Sequence, residues 1–332
     1  MMSREIRLRR RPVGMPTPSD FEMATVDVPE PAPGEVQVRN LWMSVDPYMR
    51  GRMNDEPSYM PSWRIGDVLD GSALGEVVES NAEGLSVGDL VISFQGWREE
   101  FTAPAAALQK LDPQGLPPRT FLSAAGATGL TAYAGLLEVA RLKEGDVVFV
   151  SGAAGAVGSM ACQIAKARGH TVIGSAGGAE KVAFLKDIGV DHVIDYRAAP
   201  DLTDALQAAA PDGVDVYFEN VGGAHLDAAL ANAAMGARFA ICGMISTYND
   251  TDRQPGPKNL SMMMGRAVEM RGFLVTQYLH MKPAFVADFV KWNAEGRLRW
   301  RETVLEGLDK APDAFIGLFR GENVGKMLVK LA

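Results

Sequence analysis

The sequence predicts an α/β protein in which a doubly wound parallel sheet is joined to a strongly bent antiparallel β domain. Three observations carry this expectation. From about Phe121 onward, short apolar runs alternate with helical patterns, the rhythm of stacked βαβ units. One of these units, Asp146 to Lys181, holds a turn of small residues between strand and helix, Ser151-Gly-Ala-Ala-Gly-Ala-Val-Gly158. Before Phe121 the chain is instead rich in short extended runs and turn residues, with no helical period.

Within the first third, 35–40 and 73–80 alternate as half-buried strands do, 90–94 is more continuously apolar, and 101–104 continues the meander after Gly96-Trp97. Pro29-Glu-Pro-Ala-Pro-Gly34 and Leu85-Ser-Val-Gly-Asp89 supply turns between them. A small-residue helix is expected over 124–140. Strands are then predicted at 147–150, 171–174, 192–194, 214–218 and 238–241, with a late one near 269–273. Helices fall between them at 157–168, 179–188, 201–209 and 224–234. A helix at 283–295 leads to strands at 301–305 and 326–329, the last expected to rejoin the N-terminal β domain. Residues 249–261 form a long polar loop after the fifth strand of the parallel sheet, where α/β folds build ligand crevices.

Composition narrows the function. The chain has 332 residues, 47% apolar and 22% charged, enough for two ordinary domains and a substantial core. A formal charge of −8 argues against broad binding to nucleic acid or anionic membrane. The run Arg7-Leu8-Arg9-Arg10-Arg11 reads as a solvated strand end. With no apolar stretch of about 18 residues and no signal-like apolar region at the N-terminus, a cytoplasmic location is expected. Cys162 and Cys242 are each embedded in apolar runs, and His170, His192, His225 and His280 are scattered. Two cysteines cannot make a four-cysteine zinc site, and none of the spacings suits a Cys/His catalytic zinc, so no metal is expected.

The glycine turn points to a dinucleotide. Fitted to G-x-G-x-x-G, the frame starts at Ala153, with Gly155 and Gly158 in the second and third places and Gly152 one residue earlier. Such a turn lets the backbone of Ala154, Gly155, Ala156, Val157 and Gly158 approach a pyrophosphate at the positive end of the new helix. The second strand ends in Ser175-Ala-Gly-Gly178, where a carboxylate for a ribose 2′-OH is usual, and Lys181 follows shortly. A missing acid and a nearby cation predict a 2′-phosphate, hence NADP(H) rather than NAD(H).

Seven motifs in order carry a resemblance over nearly the whole chain: Ser44-Val-Asp-Pro-Tyr-Met-Arg50, Gly129-Leu-Thr-Ala-Tyr133, Ala153-Ala-Gly-Ala-Val-Gly158, Gly174-Ser-Ala-Gly177, Glu219-Asn-Val-Gly-Gly223, Cys242-Gly-Met-Ile-Ser-Thr-Tyr-Asn249 and Asn323-Val-Gly-Lys326. With them the chain resembles the zinc-independent medium-chain dehydrogenase/reductase superfamily, in particular its prostaglandin/leukotriene reductase branch with the alkenal and curcumin reductases. The resemblance implies a GroES-like β domain over 1–122, rejoined by 300–332, and a Rossmann domain over 123–299. It also implies NADPH-dependent reduction of the carbon–carbon double bond of enones and enals, by hydride transfer to the β-carbon and protonation of the enolate.

The same resemblance assigns Tyr248 as oxyanion partner or proton donor beside the nicotinamide. Lys181 is implied on the 2′-phosphate, Tyr196 near the adenosine, and Asn220 on the nicotinamide ribose. Cys242 and Gly243 are placed in the cofactor site, with Asn323 closing over the nicotinamide and Thr128 and Gly129 at a helix start near the phosphates. Arg197 is either a second cation there or a solvated end. Asp46 and Arg50 read as a buried ion pair or turn, Tyr48 as a substrate contact, and Met263 as part of an apolar pocket or interface. A homodimer is implied. The rival readings are a quinone reductase of the same superfamily and a non-catalytic NADPH-binding protein.

Overall fold

The computed structural model describes residues 2–56, 58–252 and 254–332. Its first elements are β1 (Met2–Leu8), β2 (Phe21–Asp27), β3 (Glu35–Ser44), α1 (Met49–Arg52), β4 (Ala73–Ser80), β5 (Leu90–Ser93), β6 (Glu100–Pro104) and β7 (Gln109–Lys110). The middle of the chain runs α2 (Ala127–Ala134), β8 (Val147–Val150), α3 (Ala156–Ala167), β9 (Thr171–Ala176), α4 (Ala179–Asp187), β10 (His192–Asp195), α5 (Leu202–Ala209), β11 (Val214–Glu219), α6 (Ala224–Ala231) and β12 (Ala233–Ile241). The remainder is α7 (Met262–Arg266), β13 (Glu269–Gly272), α8 (Lys282–Ala294), β14 (Glu302–Glu306), α9 (Ala311–Arg320) and β15 (Lys326–Lys330).

Two compact units result: Met1–Leu122 with Glu302–Asn323 and Met327–Ala332, and Ser123–Arg301 with Val324–Lys326. The first unit is built on an antiparallel sheet in the order β14-β15-β3-β4-β5-β7, with β6 also on β3, and a separate β1–β2 hairpin. The clean alternation expected of 35–40 does not hold, because Val36, Gln37 and Val38 are all buried. A register shift between Gln37 and Val38, and partners on both edges of β3, put successive side chains against protein. Trp97 anchors this unit's larger apolar cluster, stacked on Phe21 at 5.9 Å and edge-on to Phe315 at 6.1 Å. Helix α9, which carries Phe315, was not among the elements expected, although its buried face (Ala311, Ala314, Phe315, Leu318) has the spacing of an amphipathic helix.

The second unit is a doubly wound sheet. Its six strands are parallel, in the order β10-β9-β8-β11-β12-β13. Because the chain direction of sheet growth reverses between β8 and β11, the crevice beyond their C-terminal ends is the natural ligand site. Val148, Phe149 and Val150 of β8 are fully buried, as are Val216, Tyr217 and Phe218 beside them.

Three expected boundaries move. The helix expected over 124–140 is regular only over Ala127–Ala134 and widens into a π turn over Gly135–Val139. There Gly135 lies so near β11 that a Cβ would sit 2.5 Å from the Phe218 ring, so close packing, not helix propensity, shapes the turn. The helix expected to reach 234 ends at Ala231, because Ala233 already pairs with Val214 in β12. That strand therefore begins five residues earlier than the expected 238, with positive φ at Gly236 and irregular pairing between Val214 and Val216 marking its early part. In 249–261 the described residues form turns and extended loop, and Arg253 lies outside them.

Candidate active site

The turn after β8 has the shape of a cradle. Gly152 adopts φ +57°, Gly155 stands at the N-terminus of α3, and a Cβ on Gly158 would lie 2.4 Å from the Gly152 carbonyl oxygen. Only glycine at 158 lets the first turn of α3 close onto the strand end, leaving the backbone open in front of a helix start. The far side of the turn is secured by Gly325, whose N–H donates to the Ala154 carbonyl at 2.8 Å. Its φ of +70° and the Arg301 carbonyl, 1.9 Å from where a Cβ would stand, require glycine there too. This backbone fits a pyrophosphate.

At the end of β9 the side chains expected at a phosphorylated ribose do come together. A Cβ on Gly177 would meet Arg197 Nε at 2.7 Å and the Tyr196 hydroxyl at 2.8 Å, so both residues cross directly over this glycine. Lys181, half-buried two residues into α4, has its ammonium pushed down by burial and then by the Arg197 charge. Two cations near enough to disfavour one another suit a doubly charged anion. The strand end is not devoid of acid, however. Asp195, supplied by the neighbouring β10, accepts from the Gly178 N–H at 3.1 Å and the Arg197 N–H at 3.0 Å. Those bonds hold its carboxyl below the usual range and tie it to the backbone. Beneath Tyr196 lies His225, edge-on with ring centroids 5.0 Å apart, buried, and pushed down to about 4 by desolvation.

The residues that follow β11 and β12 are uncharged and mostly half-buried. Asn220, directly after β11, donates through Nδ2 to the Ser151 carbonyl at 2.7 Å, and its N–H donates to Ser151 Oγ at 2.9 Å. Its amide is thus oriented by the end of β8. The loop after β12 is laced to the same place: Cys242 and Gly243 N–H donate to the Glu219 carbonyl at 3.0 and 3.1 Å, and Ser246 N–H donates to the Val221 carbonyl at 3.0 Å. Tyr248 folds back over this loop. Its hydroxyl oxygen accepts from the Met244 N–H at 3.2 Å and lies 3.0 Å from where a Cβ on Gly243 would stand. Burial raises the phenol pKa despite that bond, and burial likewise pushes the Cys242 thiol up to about 12. With its oxygen accepting from Met244, the Tyr248 hydroxyl keeps its hydrogen for another acceptor.

The remaining expected residues have more local roles. Thr128 Oγ1 donates to the Ser123 carbonyl at 2.7 Å, and a Cβ on Gly129 would stand 2.0 Å from the Ala124 carbonyl. Both shape the entry into α2. Thr128 also lines a cavity of about 10 Å³, room for one water, with Ala156, Ser159 and Lys326. Met263 in α7 packs on the second unit's core, while Met264 is 84% exposed.

In the first unit, Tyr48 is half-buried against that unit's apolar cluster, and burial raises its phenol pKa. Asn323 follows α9 in the same unit. Asp46 opens a turn in which its carbonyl accepts from the Met49 N–H at 3.1 Å. Arg50 donates to the Gly14 carbonyl at 3.0 Å and to Asn54, and Asp46 accepts from the Ser44 hydroxyl. Arg52 pairs with Asp70 and lies 4.4 Å from the Trp63 ring centroid.

Sequence reasoning missed Ser151, Glu219, Asp195 and Gly325 as parts of the site. The available signal for Glu219 was a carboxylate ending an otherwise apolar parallel strand, Val-Asp-Val-Tyr-Phe-Glu219.

This arrangement is that of a nucleotide-dependent oxidoreductase, and the relatives agree. Residues 4–111 match the family described as the N-terminal domain of oxidoreductase, and 156–292 match the zinc-binding dehydrogenase family. Among the described residues, no three His, Cys, Asp or Glu side chains are grouped to hold a metal ion. The chain is 45% identical to the putative NADP-dependent oxidoreductase YfmJ of Bacillus subtilis, over 99% of this chain and 97% of that one. It is 40% identical to the NADP(+)-dependent 2-alkenal reductase of Nicotiana tabacum, covering 99% and 98%. The crystal structure of CurA in complex with NADPH from Vibrio vulnificus superposes with a TM-score of 0.94 at 41% identity, over 99% of each chain. The chain belongs to the medium-chain dehydrogenase/reductase superfamily, in its zinc-independent reductase branch.

Proposed function

We propose that this chain is an NADPH-dependent reductase of the carbon–carbon double bond in α,β-unsaturated aldehydes and ketones. The observation that carries the reading is the Tyr248 hydroxyl, held by the Met244 amide in the loop laced to the end of β11, with no acceptor for its hydrogen among the described residues. The relatives named as an alkenal reductase and as an NADPH complex support substrate class and cofactor.

Backbone N–H groups of the 152–158 turn receive the pyrophosphate, and Lys181 with Arg197 receives the 2′-phosphate. Asn220, fixed by Ser151, would hold the nicotinamide ribose, with Cys242 and Gly243 on the adjoining loop beside the ring. Bound NADPH would supply the hydride for the β-carbon of the substrate. Tyr248 donates a hydrogen bond to the carbonyl oxygen, where negative charge develops, and its raised pKa keeps that hydrogen in place at neutral pH. Tyr48 is proposed as a substrate contact and Asn323 as a cofactor contact, with 1–122 and 300–332 as one domain and 123–299 as the cofactor domain.

A homodimer is supported by β13, which ends the sheet as an edge strand near the exposed Met264 and Leu279. Two free thiols suit a reducing cytoplasm, and no helix among the described residues is long and apolar enough to cross a membrane.

The test is NADPH oxidation by the purified protein with a small enal, a cyclic enone and a quinone. Turnover of enal and enone above quinone is expected. Preference for the quinone would make the protein a quinone reductase, and tight NADPH binding without any turnover would make it a non-catalytic binder.

A further inference from the structure

The least expected group in the crevice is a carboxyl. Glu219 closes the central strand β11 and is completely buried. Its Oε1 accepts two short hydrogen bonds, from Ser151 Oγ at 2.7 Å and from the Val221 N–H at 2.6 Å. Its Oε2 is buried near the Gly222 N–H and the Tyr217 hydroxyl, two residues earlier on the same strand face, with neither aligned for a full hydrogen bond. No ion pair reaches Glu219 among the described residues. The titratable groups packed around it are Tyr217 from its own strand, Cys242 from the end of β12 and Tyr248 from the loop beyond, all of which are neutral at physiological pH.

We propose that Glu219 is a positioning residue of the nicotinamide site, acting as a neutral carboxylic acid that fixes Asn220 and the Tyr248 loop from below. The inference rests on the functional reading above. One arm runs through Ser151, whose hydroxyl donates to Glu219 Oε1 and accepts from the Asn220 N–H, and whose carbonyl orients the Asn220 amide. The second arm runs through Val221. Its N–H is held by Glu219 Oε1, and its carbonyl accepts from both the Ser246 N–H and Ser246 Oγ, the latter at 2.6 Å. The backbone carbonyl of Glu219 meanwhile accepts from Cys242 and Gly243. A single residue thus ties the ends of β8, β11 and β12 together under Asn220 and Tyr248.

An ionised carboxylate in so dry a place would need a counter-charge. Desolvation raises its pKa, which agrees with the neutral form. The protonated Oε2 then carries a hydrogen, and the unpartnered Tyr217 oxygen nearby is its available acceptor.

Glutamine reproduces the neutral acid: its amide oxygen accepts the same two bonds and its NH₂ can donate where the acid proton did. Alanine reproduces neither. The experiment compares E219Q, E219A and S151A with the wild type by equilibrium binding of NADPH and of adenosine 2′,5′-bisphosphate, which touches only the adenosine end. E219Q is expected to bind both within about twofold of wild type. E219A should weaken NADPH about tenfold and S151A about threefold, with the bisphosphate unchanged. S151A supplies the answer if E219A fails to fold.

Loss of NADPH affinity in E219Q equal to that in E219A would overturn the neutral-acid role. Equal weakening of NADPH and the bisphosphate would show general damage and overturn the positioning role, as would unchanged NADPH binding in E219A or S151A. A wild-type protein that bound no NADPH would overturn the functional reading itself.

Discussion

The two ends of the crevice are built on opposite principles. Around Gly177 the side chains are charged and partly open to water: the exposed Arg197 and Tyr196 and the half-buried Lys181, with Asp195 bound to backbone. Around Glu219 they are uncharged: the buried Ser151 and the half-buried Asn220, Cys242 and Tyr248, held by neutral hydrogen bonds. Charge in contact with water attracts an anion and tells a phosphorylated ribose from a bare one, but it is screened and tolerant of displacement. A dry network of neutral donors is worth more per bond and fails when one group moves. Under the proposed function, selection of the cofactor falls to the charged end and chemistry to the uncharged one.

Removing a hydroxyl from the uncharged end gives the sharpest test of that division. Tyr248→Phe keeps the ring and removes the hydrogen-bond donor. The expected result is a fall in kcat for an enal of about 100-fold, with the Kd for NADPH within about twofold. An unchanged kcat would remove Tyr248 from the chemistry. A large loss of NADPH affinity would mean that the two ends are not separable.

At the open end, Lys181→Ala should raise the Kd for NADPH about tenfold and leave NADH binding unchanged, since only NADPH carries the 2′-phosphate. Added salt should weaken NADPH binding in the wild type more than in the variant, because one of two screened contacts is gone. Equal losses for both cofactors would contradict the assignment of Lys181 and Arg197 to that phosphate, whereas a kcat unaffected at saturating NADPH would strengthen the contrast with Tyr248.

The open end was the more legible of the two in the sequence. A glycine turn, a strand ending in Ser175-Ala-Gly-Gly178 and a lysine shortly after are local patterns, and their residues meet because they are close in the chain. Even so, Asp195 escaped notice, because it reaches the end of β9 from the neighbouring strand β10. The uncharged end depends on such long-range meetings. Ser151 and Glu219 are 68 residues apart and are adjacent only because β8 and β11 pair across the reversal in sheet order. Tyr248 could be named from its motif, but the Met244 amide that orients it depends on the fold of the loop. The parallel strands were legible because buried strands are continuous apolar runs. The helix after β14 and the early start of β12 were not, since the first lies in a segment read for strands and the second is set by pairing with Val214.

His225 is the residue that does not fit the contrast. It stands on the first turn of α6 beneath Tyr196, at the open end, yet it is buried like Ser151 and Glu219. Its Nε2 has no hydrogen-bond partner among the described residues, and desolvation lowers its pKa from 6.5 to about 4. In the unfolded chain the imidazole takes up a proton near pH 6.5, and in the folded protein it does so only near pH 4. Between those values the unfolded state binds more protons, so stability falls as the pH is lowered through this window and levels off below it. Acidifying from pH 7 to 5.5 should cost about 1 kcal/mol from this group, read as a lower urea midpoint. His225→Gln, which cannot titrate, should flatten that slope while leaving the NADPH-over-NADH preference intact. A variant that kept the wild-type slope would assign the acid sensitivity to other groups. A variant that lost the preference would make the neutral imidazole part of the phosphate site, and the open end would then depend on a buried neutral support just as the uncharged end depends on Glu219.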